Sequence, residues 1–280
     1  MSGGLTRGGA IRRAALTGVG LLLAAVVLAP YLVMLFTAAK PAGELRTSPP
    51  RLTPLAWQWG NFVDVLRDPD FQTWLRVSLV VAAASTALVL LAAVPAAYYT
   101  ARHRFRGRTA FLVLVLVTQM FSPTSLVVGL HREFFELDLI NTYTALVLTN
   151  AAFNLAFAVW ILRAFFATIP REIEEAATVD GCGRVRVLCQ IVLPLSRPGV
   201  VTAMIFAFIA AWNEYIVALT LMTDPDKKPL TVGMTSYVTA YVQHWNSLFA
   251  ASAIAIVPVV VLFAFIERHL VAGLTAGSVK

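Results

Sequence analysis

The chain has 280 residues, of which 59% are hydrophobic and 13% charged, with a formal net charge of +7. A soluble domain carries about 25% charged residues, so the composition excludes an ordinary water-soluble enzyme or binding module, and the mean hydropathy of +0.76 points to a chain built for lipid. The positive charge needs no nucleic acid as partner, because basic loops beside anionic membrane lipid account for it.

Six blocks are long enough to cross a hydrocarbon core of about 30 Å, which takes roughly 20 apolar residues. The first, Ala14–Phe36, follows Arg12 and Arg13. Its apolar run exceeds the 7–15 residues of a signal-peptide core, so an uncleaved span is expected. A large outer loop comes next, with Pro41, Pro49, Pro50, Pro54 and Pro69, an aromatic patch WQWGNF at Trp57–Phe62, and a short helix expected over Trp59–Arg67. The second span is Val77–Thr100 and the third Thr109–Leu130, joined by the basic run RHRFRGR at Arg102–Arg108. A tight turn over Leu130–Asn141 leads into the fourth span, Leu139–Leu162. The fifth, Pro198–Met222, is broken only by the charge of Glu214. A second outer loop, Thr223–Trp245, opens with DPDKKP and continues as an amphipathic stretch before the sixth span, Ser247–Ile266. Each block must be a helix, because in lipid a helix satisfies its own backbone groups and no barrel-like alternation is present. Pro30, Pro95, Pro123 and Pro258 lie in these spans and carry little weight, since a bundle tolerates them.

An even number of spans puts both termini on one side. With the termini inside, 14 of the 22 Lys and Arg residues fall in inner segments, close to the span ends where they count. No catalytic pattern appears. His103, His131, His244 and His269 are scattered, Cys182 and Cys189 are seven residues apart and fit free thiols in a reducing compartment, and no Gly-Lys dipeptide exists to form a phosphate-binding loop. Any ATP that powers this chain is bound elsewhere. No cofactor or metal is expected in it.

Ionisable residues inside a membrane are functional candidates by default. Glu214 stands sixteen residues into its block, or roughly 24 Å at 1.5 Å per residue. It either faces a water-filled path, where it would accept hydrogen bonds from a polar solute, or is tied structurally to Asn213 or a neighbouring helix end. Asn150 and Asn154, one turn apart in the fourth span, pose the same choice, as does Gln119, and interhelical amide bonds of about 1 kcal/mol would suffice to explain them.

The inner segment between the fourth and fifth spans, REIEEAATVDGCGRVRVLCQIVLPL, reads as two short helices around a turn. Pro170 suits a first helical turn, and Glu172, Glu174 and Glu175 suit a helix N-terminus. Ile173, Ala176, Ala177 and Asp180 recur on one narrow, small-residue face that would let a partner approach closely. Gly181 supplies a left-handed stop. The second helix places Val185, Leu188, Cys189 and Val192 on one side and Arg184 and Arg186 on the other, with Pro194 and Pro198 ending it.

This segment resembles the cytoplasmic loop of ABC importer permeases, whose signature is Glu-Ala-Ala, three residues, Gly, nine residues, Ile-x-Leu-Pro. Here it stands as Glu175-Ala176-Ala177, Gly181 and Ile191-Val192-Leu193-Pro194, with Asp180 before the glycine. AWNEY at Ala211–Tyr215, PLTVGM at Pro229–Met234, WQWGNFVDVL at Trp57–Leu66 and the ending VAGLTAGSVK at Val271–Lys280 are similar to the MalG-like branch of carbohydrate permeases.

The resemblance implies an all-α membrane protein of six transmembrane helices with the type I ABC importer permease fold. It divides the chain into a cytoplasmic N-terminus over residues 1–13, a first span over 14–36, an outer loop over 37–76, a five-span core over 77–270 containing a coupling loop at 163–197, and a cytoplasmic tail over 271–280. It further implies a second related permease subunit, two cytoplasmic ATPase subunits, an external solute-binding protein and a sugar as substrate, with the tail from Leu274 to Lys280 approaching the ATPases. Glu175, Ala176, Ala177, Asp180, Gly181, Ile191, Leu193 and Pro194 would form the ATPase-coupling loop, and Asn150, Asn154, Asn213 and Glu214 are candidates for the substrate path. A permease for another polar solute, such as a polyamine or phosphate, is an alternative within transport, and a stand-alone channel or secondary carrier is an alternative outside this family. An intramembrane enzyme lacks paired catalytic residues.

Overall fold

The computed structural model describes residues 7–47, 51–239, 241 and 243–275, with the side chains of 7–14, 46 and 266–275 excepted. Helix α1 covers Arg7–Ala38, α2 Gly60–Arg67 and α3 Pro69–Arg102. They are followed by α4 at Arg108–Thr118, α5 at Pro123–Glu136 and α6 at Tyr143–Thr168. The inner segment holds α7 (Arg171–Val179) and α8 (Arg184–Val187), which widens into a π turn over Leu188–Val192 and ends in α9 (Leu193–Leu195). Then come α10 (Arg197–Trp212), α11 (Ile216–Leu221), α12 (Leu230–Gly233) and α13 (Trp245–Thr275). Among the described residues no strand forms beyond a single antiparallel bridge between Val238 and Gln243.

Among the described residues four helices are long and apolar enough to cross a membrane alone, and two bent pairs, α4 with α5 and the α8–α9 segment with α10, raise the number to as many as six. The breaks correct the expectation of continuous spans. The third span divides into α4 and α5, which meet at 93°. Pro123, given little weight above, sits in the first turn of α5, where its missing N–H is harmless. Helix α5 then runs on to Glu136, so the turn placed over Leu130–Asn141 is shorter. The fifth span is straight only over α10, about 24 Å long at 1.5 Å per residue. It unwinds at Asn213–Tyr215 and resumes as α11. Pro30, Pro95 and Pro258, by contrast, lie inside unbroken helices.

Helix α3 begins eight residues before its apolar block, because Asp68 caps it by accepting from the Asp70 N–H (3.0 Å) and Pro69 occupies the first turn. The added turns bury Phe71 and Trp74. Helix α6 starts four residues later than its block, since Asn141 takes a left-handed conformation (φ +59°) and Thr142 caps from outside the helix. In the second outer loop, α12 covers a single turn and a 3₁₀ turn follows at Met234–Tyr237.

The chain forms two compact units. One comprises the residues up to Arg67 with Ser236–Ile254. In it the WQWGNF patch is fastened to the end of α1: Gln58 N–H donates to the Ala39 carbonyl (2.8 Å), and Asn61 Nδ2 donates to the carbonyls of Ala38 (2.7 Å) and Lys40 (3.0 Å). These bonds satisfy carbonyls that a helix end leaves unpaired. Trp57, Trp59 and Phe62 stack in series beside them.

The other unit comprises Asp68–Thr235 with the residues from Ala255. Its frame is α3, α6 and α10, which share a core cluster of Val89, Ala93 and Ala97 with Ala158, Val159, Leu162 and Phe166, and with Ala203 and Ala207. Alanine-rich faces let helices approach where lipid gives no hydrophobic drive to associate. A second cluster joins Val77 and Val81 of α3 and Ala145 and Leu146 of α6 to Phe134, Val217, Leu221 and Val232. The N-terminal parts of α3 and α6 thus share one cluster and their C-terminal parts the other, so the two helices run in the same direction, as spans two apart must.

Candidate functional site

Helix α7 starts where Ile169 and Pro170 turn extended after α6, and Pro170 stands just outside the helix rather than in its first turn. Glu172 and Glu174 lie in the first turn, where the helix dipole favours negative charge. The helix ends as the glycine predicts. Gly181 has φ +83°, its N–H donates to the Thr178 carbonyl (3.0 Å), and the Cys182 N–H reaches back to the Ala177 carbonyl (2.9 Å). This is the Schellman arrangement, which favours a residue free of the left-handed penalty.

The faces differ from the sequence reading. Ala177 turns inward and joins the core cluster with Ala97 and Phe166, whereas Ala176 and Asp180 are exposed. The outward apolar face is Ile173, Ala176 and Val179, and Val179 is 88% exposed. In the second helix Val187 and Val192 are buried, while Val185 and Cys189 are exposed, so the expected side of Val185, Leu188, Cys189 and Val192 is divided. Ile191 and Leu193 pack against the core and Pro194 is half-buried. Pro194 does not end the helix. A proline inside a helix crowds the carbonyl four residues back, and the π turn at Leu188–Val192 stands directly before it. The chain turns instead at Ser196, and α10 leaves at 84°.

Glu174 and Glu175 are neighbours in opposite settings. Glu175 is exposed. The Glu174 carboxylate is ion-paired to Arg102, with side-chain exposures of 13% and 8%, and accepts a hydrogen bond from the Tyr98 hydroxyl (2.7 Å). Arg171 Nη2 donates to the Arg102 carbonyl (3.0 Å). These residues line a cavity of about 210 Å³ with His103, Thr178 and Arg184. The roles of Tyr98 and Arg102 were not legible in the sequence: Arg102 read as part of a basic loop, and nothing local pairs it with a residue 72 positions away.

The four residues proposed for the path fall into different places. Glu214 lies in the break between α10 and α11, and its carboxylate caps α11 by accepting from the N–H groups of Val217 (2.7 Å) and Ala218 (2.9 Å). Its own carbonyl accepts from the Thr231 hydroxyl (2.7 Å). Glu214 and the buried Asn150 line a minute internal cavity of about 10 Å³ together with Ser78 and Pro229, too small for any solute larger than one water. Asn150 Nδ2 bonds the Leu146 carbonyl (3.0 Å), and Asn154 Nδ2 the Asn150 carbonyl (2.8 Å), both within α6. Asn213 is exposed. Gln119, at the break after α4, donates to the Phe153 carbonyl (2.7 Å).

Two polar contacts at the other end of this unit were also missed. Asn141 Oδ1 accepts from the N–H groups of Thr223 (2.8 Å) and Asp224 (2.9 Å), fastening the turn before α6 to the end of α11. Ser78 Oγ accepts from the Leu230 N–H (2.8 Å). Gly233 lies so close to Trp74 that a Cβ would stand 2.1 Å from its ring. Among the described residues no group of three or more His, Cys, Asp or Glu could hold a metal.

Residues 93–276 match the family described as binding-protein-dependent transport system inner membrane component. The chain is 37% identical over 251 residues to the sulfoquinovosyl glycerol transport system permease protein SmoH of Agrobacterium fabrum, covering 90% of this chain and 88% of that one. It is 33% identical over 263 residues to the trehalose/maltose transport system permease protein MalG of Thermococcus litoralis, covering 93% and 94%. Its fold matches a crystal structure of a bacterial ABC transporter involved in the import of the acidic polysaccharide alginate, with a TM-score of 0.81 at 21% identity over 95% of this chain and 99% of that one.

Proposed function

The chain belongs to the family of binding-protein-dependent transport system inner membrane components, as a permease subunit of an ABC importer and not an enzyme, and from that premise we propose that it carries a carbohydrate delivered by the binding protein. Both relatives described above are named for glycosides or sugars, which supports this substrate class over a polyamine or phosphate. The remaining partners follow from the family's division of labour: a second related permease and two ATPases on the cytoplasmic side. Both termini lie in the cytoplasm in this reading, supported by the excess of Lys and Arg in the inner loops. The tail from Leu274 to Lys280, proposed to approach the ATPases, falls outside the residues whose side chains are described.

One observation carries the coupling role. The segment from Arg171 to Pro194 presents an exposed face of Ile173, Ala176 and Val179 before the Gly181 turn, while its other face, Ala177, Val187 and Val192, belongs to the core cluster of α3, α6 and α10. A partner that grips the outer face therefore pulls on the spans through the inner one. Asp180 and Glu175 are exposed on the same segment and available to a partner. For the solute path, Asn213 is the remaining candidate because it is exposed, whereas the side chains of Asn150 and Asn154 bond within α6 and that of Glu214 caps α11.

The test is reconstitution in proteoliposomes of the whole assembly, with its ATPases, second permease and binding protein, using labelled mono- and oligosaccharides. Uptake that requires ATP and binding protein is the expected result. Uptake catalysed by this chain alone would identify a secondary carrier or channel, and a panel in which only non-carbohydrate solutes enter would overturn the substrate class.

A further inference from the structure

We infer that Glu174 is a positioning residue that latches the coupling helix to the second span, so that α7 and the end of α3 move as one body. The inference rests on the reading of Glu175–Pro194 as the ATPase-coupling loop. Its basis is the contrast between two adjacent carboxylates: Glu175 is exposed and free for a partner, whereas Glu174 is turned inward and mostly buried.

The inward carboxylate is held by both of its oxygens. Oε1 faces the Arg102 guanidinium and Oε2 accepts the Tyr98 hydroxyl. Tyr98 and Arg102 are four apart on α3, so one helical face presents both. Arg171, three residues before Glu174 on α7, adds its bond to the Arg102 carbonyl, and Ala177, three residues after, packs in the cluster that holds Ala97. Arg171, Glu174 and Ala177, three residues apart, form one stripe of α7 turned toward the end of α3 and its core cluster. The alanine methyl gives contact without direction, because apolar packing does not fix register by itself. The ion pair and the tyrosine bond do, and an exposed pair would add little where a buried pair is firmly held.

What the latch holds extends far. Helix α3 is continuous over 34 residues, and its N-terminal part shares the second cluster with Val217 and Leu221 of α11, next to the break at Asn213–Tyr215. A displacement of α7 thus reaches that break along one continuous helix, provided α7 does not slip on α3.

The experiment uses the complete reconstituted assembly and reads ATPase co-purification, ATP hydrolysis and labelled sugar uptake from the same preparation. Glu174→Gln and Arg102→Gln are expected to keep the ATPases bound and hydrolysing, while uptake per ATP falls by about tenfold or more, the scale expected of breaking a buried pair. Combining Arg102→Glu with Glu174→Arg is expected to restore uptake per ATP to within about threefold of the wild type when each reversal alone does not, which is the signature of a direct pair. A merely structural role would lower assembly yield and leave uptake per ATP unchanged, and that result overturns the inference. So does loss of ATPase binding in Glu174→Gln, which would make the residue a partner contact, or a double reversal no better than the singles. Gly181→Leu, measured in parallel, tests the underlying reading separately: if it binds ATPases and transports normally, the coupling-loop assignment itself fails.

Discussion

Replacing Gly181 by alanine, asparagine and leucine separates the two things this glycine provides, a left-handed turn and an open surface. Its φ is +83°, and a Cβ added there would meet nothing within 4 Å, so no substitution clashes inside the chain. The intrinsic cost is then the backbone penalty alone, about 1–2 kcal/mol for an ordinary L-residue. That corresponds to a five- to thirty-fold shift in the population of the turn, on the scale where about 1.4 kcal/mol is tenfold. Asparagine adopts the left-handed region more readily, so its backbone cost is smaller. If the turn were all that mattered, asparagine would outperform alanine. If a partner approaches closely at this position, the longer side chain counts for more, and the expected order of ATPase co-purification is glycine, then alanine, then asparagine, then leucine. Quantitative pull-down of the ATPases from solubilised membranes measures the order, and labelled uptake measures its consequence. Leucine with wild-type co-purification and uptake would refute the reasoning, and asparagine above alanine would assign the glycine to the turn rather than to the approach.

Gly233→Ala forces a Cβ to within 2.1 Å of the ring of Trp74, an indole only 6% exposed, so overpacking of about 1–3 kcal/mol is expected as a lower melting temperature of the detergent-solubilised protein. Glu214→Gln is expected to leave sugar uptake within about twofold while lowering thermal stability, because the neutral amide keeps one acceptor, without the charge, and replaces the other by a donor, so one cap bond of about 1.5–3 kcal/mol is lost and the second weakened; a selective rise in KM for the sugar would place the carboxylate on the path after all. Asn141→Ala removes the acceptor for two backbone N–H groups that water can partly reach and should cost about 0.5–1.5 kcal/mol for each bond, read as a lower melting temperature, whereas Asn141→Asp keeps the acceptor and should melt near the wild type.

Composition and spacing alone determined that the chain is a helical membrane bundle built on six apolar blocks, with a polar insert of two short helices after the fourth. Transfer of about 20 apolar residues into lipid depends on those residues and on nothing distant, and a left-handed stop such as Gly181 is decided within one helical turn. The same local logic failed wherever the answer depended on a neighbour remote in sequence. The breaks at Gln119–Ser122 and Asn213–Tyr215 lie in apolar blocks that read as continuous, and the second is held by Glu214 capping α11 and by Thr231 from beyond the span. Glu214 looked equally suited to a path and to a cap until the positions of the Val217 and Ala218 amides were known. Two adjacent glutamates looked alike as favourable charges at a helix N-terminus. Only packing of α7 on α3 distinguished them, because which carboxylate is buried depends on where Tyr98 and Arg102 stand, and that is a property of the assembled helices rather than of any segment.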